Sequence, residues 1–141
     1  MLVFCYTRAM IEPLPEKKRF SIVKRAKSFT YAGRGIWIFF KSTHNAWIHV
    51  LVLALAIFFG FYFNITHVEW MVLVLVGGLV LAAEAFNTAI EIDIDLTSPQ
   101  YHPYARDTKD VAAGAVLISA ITAVIVGVII FGHYFLTFFH S

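Results

Sequence analysis

From Ala46 to Phe63 the chain carries no Asp, Glu, Lys or Arg, and the same holds from Trp70 to Ala83 and from Val111 to Phe131. Apolar runs of roughly 20 residues without charge are long enough to cross a bilayer as helices. Inside hydrocarbon every backbone N–H and C=O needs an internal partner, so such runs fold as helices or join a closed barrel. Unbroken apolar runs, without alternation, select helices. Hydrophobic residues make up 60% of the 141 residues and charged residues 14%. The mean hydropathy is +0.75. Soluble globular chains do not reach these values. The spacing predicts spans over residues 46–63, 68–95 and 110–133 of an all-α membrane protein.

Charge fixes the expected orientation. Nine of the eleven Lys and Arg lie between Arg8 and Lys41, and the other two are Arg106 and Lys109. The connection Asn64–His67 and the C-terminal tail have none. Positive charge marks the cytoplasmic side. The N-terminus and the loop 97–109 are therefore expected in the cytoplasm, with the C-terminus outside. The single Cys5 excludes an internal disulfide.

Before the spans, residues 1–16 show no helical period and end in a Pro13-Leu-Pro15 break, so a poorly ordered arm is expected there. Residues 17–42 differ. Phe20, Val23, Lys27, Tyr31, Arg34 and Ile38 recur at three- and four-residue steps, and Lys17, Lys18, Arg19, Lys24, Arg25, Lys27, Arg34 and Lys41 are interleaved with Phe29, Ile36, Trp37, Phe39 and Phe40. A basic amphipathic helix with aromatics lies on an anionic membrane surface. A compatible reading has some of these cations facing polyphosphate.

The second apolar run ends in a different composition. Glu84-Ala-Phe-Asn-Thr-Ala-Ile-Glu-Ile-Asp-Ile-Asp95 holds four carboxylates and an amide. Continued as helix, Glu84, Asn87, Glu91 and Asp95 stand at i, i+3, i+7 and i+11, on one face. A carboxylate inside a span costs several kcal/mol unless it is paired, hydrated or bound to a cation, so it marks a functional site by default. Aligned carboxylates repel, and a hard divalent cation or a basic side chain relieves them. The plain alternative is that Glu91, Asp93 and Asp95 only solvate the helix end. After the loop, Asp107 or Thr108 is expected to cap the third span, with Asp110 in its first turn. Lys109 is unusual so near a helix N-terminus, and an anion such as Asp95 or a phosphate would explain it. No GxxxxGK loop, zinc-spaced Cys/His set or nucleophile elbow is present. Carboxylates and cations at an interface suit phosphoryl transfer, with the lipid supplying the attacking hydroxyl.

The pattern Glu84-Ala-Phe-Asn-Thr-Ala-Ile-Glu91 with Asp95, followed by Ala105-Arg-Asp-Thr-Lys109-Asp110, resembles the signature of the prokaryotic diacylglycerol kinase / undecaprenol kinase family. Lys27-Ser-Phe29, Ala32 and Gly35 are similar to that family's surface helix. The resemblance covers about residues 19 to 133 and implies a single lipid-kinase domain over 17–141. It implies ATP-dependent phosphorylation of a membrane lipid alcohol, undecaprenol or diacylglycerol, with Mg2+, in lipid metabolism. It implies a homotrimeric helical bundle in the inner (cytoplasmic) membrane of a bacterium, with sites shared between subunits, and no nucleic-acid partner. Glu84 matches the catalytic base and Asn87 the amide that positions the reacting groups. Glu91 matches the metal-binding carboxylate. Lys27, Tyr31, Glu91, Asp95, Lys109 and Asp110 match the ATP site. The family often has a second metal-binding Glu before the first span, and Thr43 stands at that position. The competing expectation is a non-catalytic trimeric membrane protein that binds cations or nucleotide. A cation pathway has no use for Lys109 and the basic helix.

Overall fold

The structure, a computed structural model, describes residues 22–140, with side chains from 25 to 138. The expected N-terminal arm and residues 17–21 of the expected surface helix lie outside the described residues. The described chain is helical apart from short connections: α1 Ile22–Ser42, α2 His44–Tyr62, α3 His67–Thr97 and α4 Pro103–His140. The chain divides into two units, residues 1–33 and residues 34–141. The described part of the first is the opening of α1, and its side chains from Arg25 onward are exposed.

In the second unit the last turn of α1 meets α2 at a sharp break. Thr43 is extended, with φ −123° and ψ 113°. Phe39 is buried at the break, and the Trp47 indole N–H donates to the Phe40 carbonyl at 3.0 Å. The Lys41 ammonium lies over the Trp37 ring, 4.9 Å from its centre.

The three long helices are apolar enough to cross a membrane. α2 and α3 fall within two residues of the predicted spans. α4 departs from expectation: it begins at Pro103, seven residues before the predicted start of the third span, and runs on to His140. Proline suits the first helical position because its missing N–H has no partner there in any case. The Arg106 N–H closes the first turn onto the His102 carbonyl at 3.1 Å. Asp107 and Thr108 therefore do not cap α4. The Thr108 hydroxyl lies within the helix and donates to the Tyr104 carbonyl at 2.8 Å. Asp110 stands two turns inside rather than in the first turn.

Between α2 and α3 the chain turns at Asn64, with φ +52°, a left-handed conformation that asparagine tolerates. Thr66 then caps α3 in a reciprocal box with Glu69. Ile65, Leu73 and Ile130 form the core at this end, packed by Phe63, Trp70, Phe131 and Tyr134. Glycine lets the helices close. A Cβ at Gly60 would lie 2.8 Å from the Trp70 ring, and one at Gly77 would lie 2.5 Å from Leu53 Cδ1. A Cβ added at Gly78 or Gly114 would have nothing within 4 Å.

Little apolar surface is covered within the chain. In the most apolar stretches of α2, α3 and α4 only 11%, 17% and 11% is buried. Such a surface is stable only against lipid or further protein.

Candidate active site

At 1.5 Å per residue, Glu84 lies about 26 Å along α3 from His67, near the far edge of a hydrocarbon layer of about 30 Å. Asp95 lies beyond it, about 42 Å along the same axis. The stripe therefore runs from inside the span to its polar end. Burial follows that course: Glu84 is 1% exposed and Asn87 7%, Glu91 is half-buried, and Asp95 is exposed.

The buried part is held by few bonds. The Asn87 amide donates to Glu91 Oε1 at 3.0 Å, one turn along the helix. Asn87 Oδ1 and Glu84 Oε1 are buried with no hydrogen-bond partner. A buried polar atom without a partner costs about 1–3 kcal/mol. Two of them one turn apart mark a place where a ligand, a proton or water completes the bonding. Thr88, beside Asn87, is buried, and its hydroxyl donates to the Glu84 carbonyl at 2.9 Å. Thr43 lies 2.8 Å from Thr88, hydroxyl to hydroxyl.

The exposed part lies between α3 and α4. Lys109, which stands inside α4 rather than at its N-terminus, pairs with Asp95 across the two helices. Arg106 pairs with Asp110 at 3.5 Å along α4. These residues, with Ser98, Tyr101 and His102, line a polar cleft of about 290 Å³. Lys27 and Tyr31, the two candidates on α1, are exposed and four residues apart on one face of the first unit.

A third feature is apolar. A groove of about 460 Å³ runs between α2, α3 and α4, past Val52, Leu53, Gly77 and Val80. His49 is its polar member, and Val80 is one turn from Glu84.

The donors suit a hard cation. Glu84 and Glu91 offer carboxylate oxygens and Asn87 an amide oxygen, the kind of donor that Mg2+ binds. Among the described residues no three His, Cys, Asp or Glu side chains converge as a cation cage. Magnesium is usually held by one or two carboxylates together with substrate phosphates, so these residues fit a cation that arrives with a nucleotide.

Comparison with known proteins decides the class. The sequence pattern of the prokaryotic diacylglycerol kinase family matches residues 30–131. The chain belongs to that family. An undecaprenol kinase of Bacillus subtilis (strain 168) is 39% identical over 105 residues, 74% of this chain and 85% of its own length. A diacylglycerol kinase of Synechocystis sp. is 42% identical over 101 residues, 71% of this chain and 58% of its own length. A diacylglycerol kinase of Escherichia coli (strain K12) is 28% identical over 117 residues, 82% of this chain and 93% of its own length. The protein is a membrane lipid kinase, and the non-catalytic alternative gives way to that assignment.

Two residues bonded within the candidate site escaped sequence reasoning. Thr88 lies inside the recognised motif but had no assigned role. Its position four residues after Glu84, next to Asn87, was the available signal. Arg106 sits in the Ala-Arg-Asp-Thr-Lys stretch, four residues before Asp110, at the spacing of a helical ion pair.

Proposed function

We propose that this kinase transfers the γ-phosphate of ATP to the hydroxyl of a membrane lipid, with Glu84 as the base. The observation that carries the assignment is the Glu84 carboxyl, 1% exposed within a span and with Oε1 unpartnered. In this reading Glu84 takes the proton of the lipid hydroxyl. The oxygen attacks the γ-phosphorus, the bond to the β,γ-bridging oxygen breaks, and ADP leaves. Asn87, oriented by its bond to Glu91, holds the reacting groups. Glu91 and the nucleotide phosphates hold Mg2+, which supplies charge neutralisation at the phosphates when bound. Asp95, Lys109 and Asp110 form the nucleotide side of the site, and exchange with phosphate oxygens frees Lys109 from Asp95. Lys27 and Tyr31 contribute from α1, and residues 17–141 act as one lipid-kinase domain.

Undecaprenol is the first choice of acceptor, because the undecaprenol kinase of Bacillus subtilis is similar over 85% of its length. Diacylglycerol is the second, from the similarity to the Synechocystis enzyme. The apolar groove beside Glu84 suits the chain of either lipid. A homotrimer covers the bare apolar faces of the spans and walls the acidic stripe. The clustering of Lys and Arg supports an orientation with the N-terminus and the loop 97–109 on the cytoplasmic side, and in this reading the membrane is the inner one. The test is transfer of label from γ-labelled ATP in mixed micelles, with undecaprenol and diacylglycerol offered side by side. Label in one lipid chooses the acceptor. No label in either, from an assembled protein that binds MgATP, overturns the reading.

A further inference from the structure

We propose that Thr43 is a positioning residue: its hydroxyl donates to Thr88, Thr88 donates to the Glu84 carbonyl, and this chain of two hydroxyls clamps the start of α2 to the turn of α3 that carries the base. The inference rests on the reading of Glu84 as base.

The direction of the chain follows from proton count. Each hydroxyl has one proton and two lone pairs. The Glu84 carbonyl only accepts, so the Thr88 proton goes there, at 2.9 Å. The Thr43 proton is then the one between the two threonines, at 2.8 Å. Thr88 is 4% exposed, so water does not compete for these bonds.

Thr43 gives up a commoner role to make this contact. It is the N-cap residue of α2, yet its side chain makes no cap hydrogen bond. A threonine cap is worth about 1 kcal/mol to a helix. Here the hydroxyl reaches across to α3 instead. Among the described residues it is the one side-chain hydrogen bond that joins the α2 start to α3. Ala46, fully buried in the first turn of α2, and Phe39, at the end of α1, pack around the same junction.

The clamp matters because of what Glu84 lacks. Its buried Oε1 has no hydrogen bond, so no partner at that oxygen aims the carboxyl. Its position depends on the backbone turn from which it projects. The Thr88 bond lands on that turn, and Thr43 ties the turn to the neighbouring helix. Thr43 stands at the position where a carboxylate ligand was expected, but its proton serves the helix junction. Its function is to place the base, and the cation is left to Glu91.

The test compares the full-length kinase with Thr43→Val, Thr43→Ser, Thr88→Val and the double valine variant in mixed micelles. Thr43→Val lowers kcat about tenfold. Calorimetric Kd and KM for MgATP stay within about twofold of the parent. Thr43→Ser restores the rate, because it restores the hydroxyl. The double variant turns over no more slowly than Thr88→Val alone, since the two hydroxyls act as one unit. If Thr43→Val alone fails to assemble, the double variant carries the comparison, because it leaves neither hydroxyl unpaired. A weakened MgATP affinity with kcat unchanged would make Thr43 a cation ligand and overturn the clamp. Additive losses, or a serine variant as slow as valine, would reduce Thr43 to packing and overturn it too. Turnover by Glu84→Gln sinks the base assignment whatever the threonines do. Additive threonine losses sink the clamp with the base intact.

Discussion

Two glutamates stand on the same helix, fifteen residues apart, and are treated oppositely. Glu69, at the aromatic end, accepts through Oε2 from the Thr66 N–H at 2.7 Å, the Thr66 hydroxyl at 2.8 Å and the Tyr134 hydroxyl at 3.0 Å. It locks the start of α3 to α4. Glu84, at the polar end, is buried, yet its Oε1 has no partner. A carboxylate kept for structure is anchored by several hydrogen bonds. One kept for chemistry must have capacity left for the substrate. The aromatic end is closed by stacked rings, with Phe63 against Tyr134 at 5.6 Å between centres. The polar end is joined by a few polar contacts around a cleft.

The largest effect should come from Glu84. Replacement by Gln preserves shape and removes the proton acceptor, so kcat falls about 10²–10⁴-fold, the usual contribution of a general base. Assembly and MgATP binding persist, as gel filtration and calorimetry would record. The next is Lys109→Ala, which removes a cation from the cleft. KM for MgATP rises about tenfold and kcat changes less, read from initial rates at varied nucleotide. An unchanged KM would move the nucleotide out of that cleft.

Gly77→Leu tests packing between the ends. The new side chain meets Leu53, already 2.5 Å from a Cβ at this position. Overpacking costs about 1–3 kcal/mol, seen as a lower melting temperature, while Gly78→Ala leaves melting nearly unchanged. The smallest effect on turnover belongs to Glu69→Gln. It weakens the cap and the bond to Tyr134, lowers the melting temperature, and leaves kcat within about twofold. A large loss of kcat there would erase the contrast between the two glutamates.

Much of this was legible in the sequence because membrane spans obey strict local rules. Charge-free runs gave three spans, and helical spacing aligned Glu84, Asn87, Glu91 and Asp95. The burial of Glu84 followed from the apolar run before it. α4 starts earlier than the capping potential of Asp107 and Thr108 suggests, because Pro103, a good first helical residue, opens it within the polar stretch. The box Thr66-His-Val-Glu69 is a local pattern that marks the start of α3. Other contacts were not legible in principle. Tyr134 meets Glu69 and Thr43 meets Thr88 only through helix packing, across 65 and 45 residues. Nothing local in a sequence specifies such pairs. Short-range periodicity showed which residues were candidates, and the fold showed which of them were left with bonds unfilled.

One assay reaches the central claim most directly: label transfer from ATP to lipid by Glu84→Gln and Glu69→Gln, prepared and assayed together. The account predicts that Glu69→Gln transfers label at nearly the parent rate, while Glu84→Gln binds MgATP and transfers almost none. Equal rates in the two variants would contradict it, because the unpartnered buried carboxylate would then have no part in the chemistry.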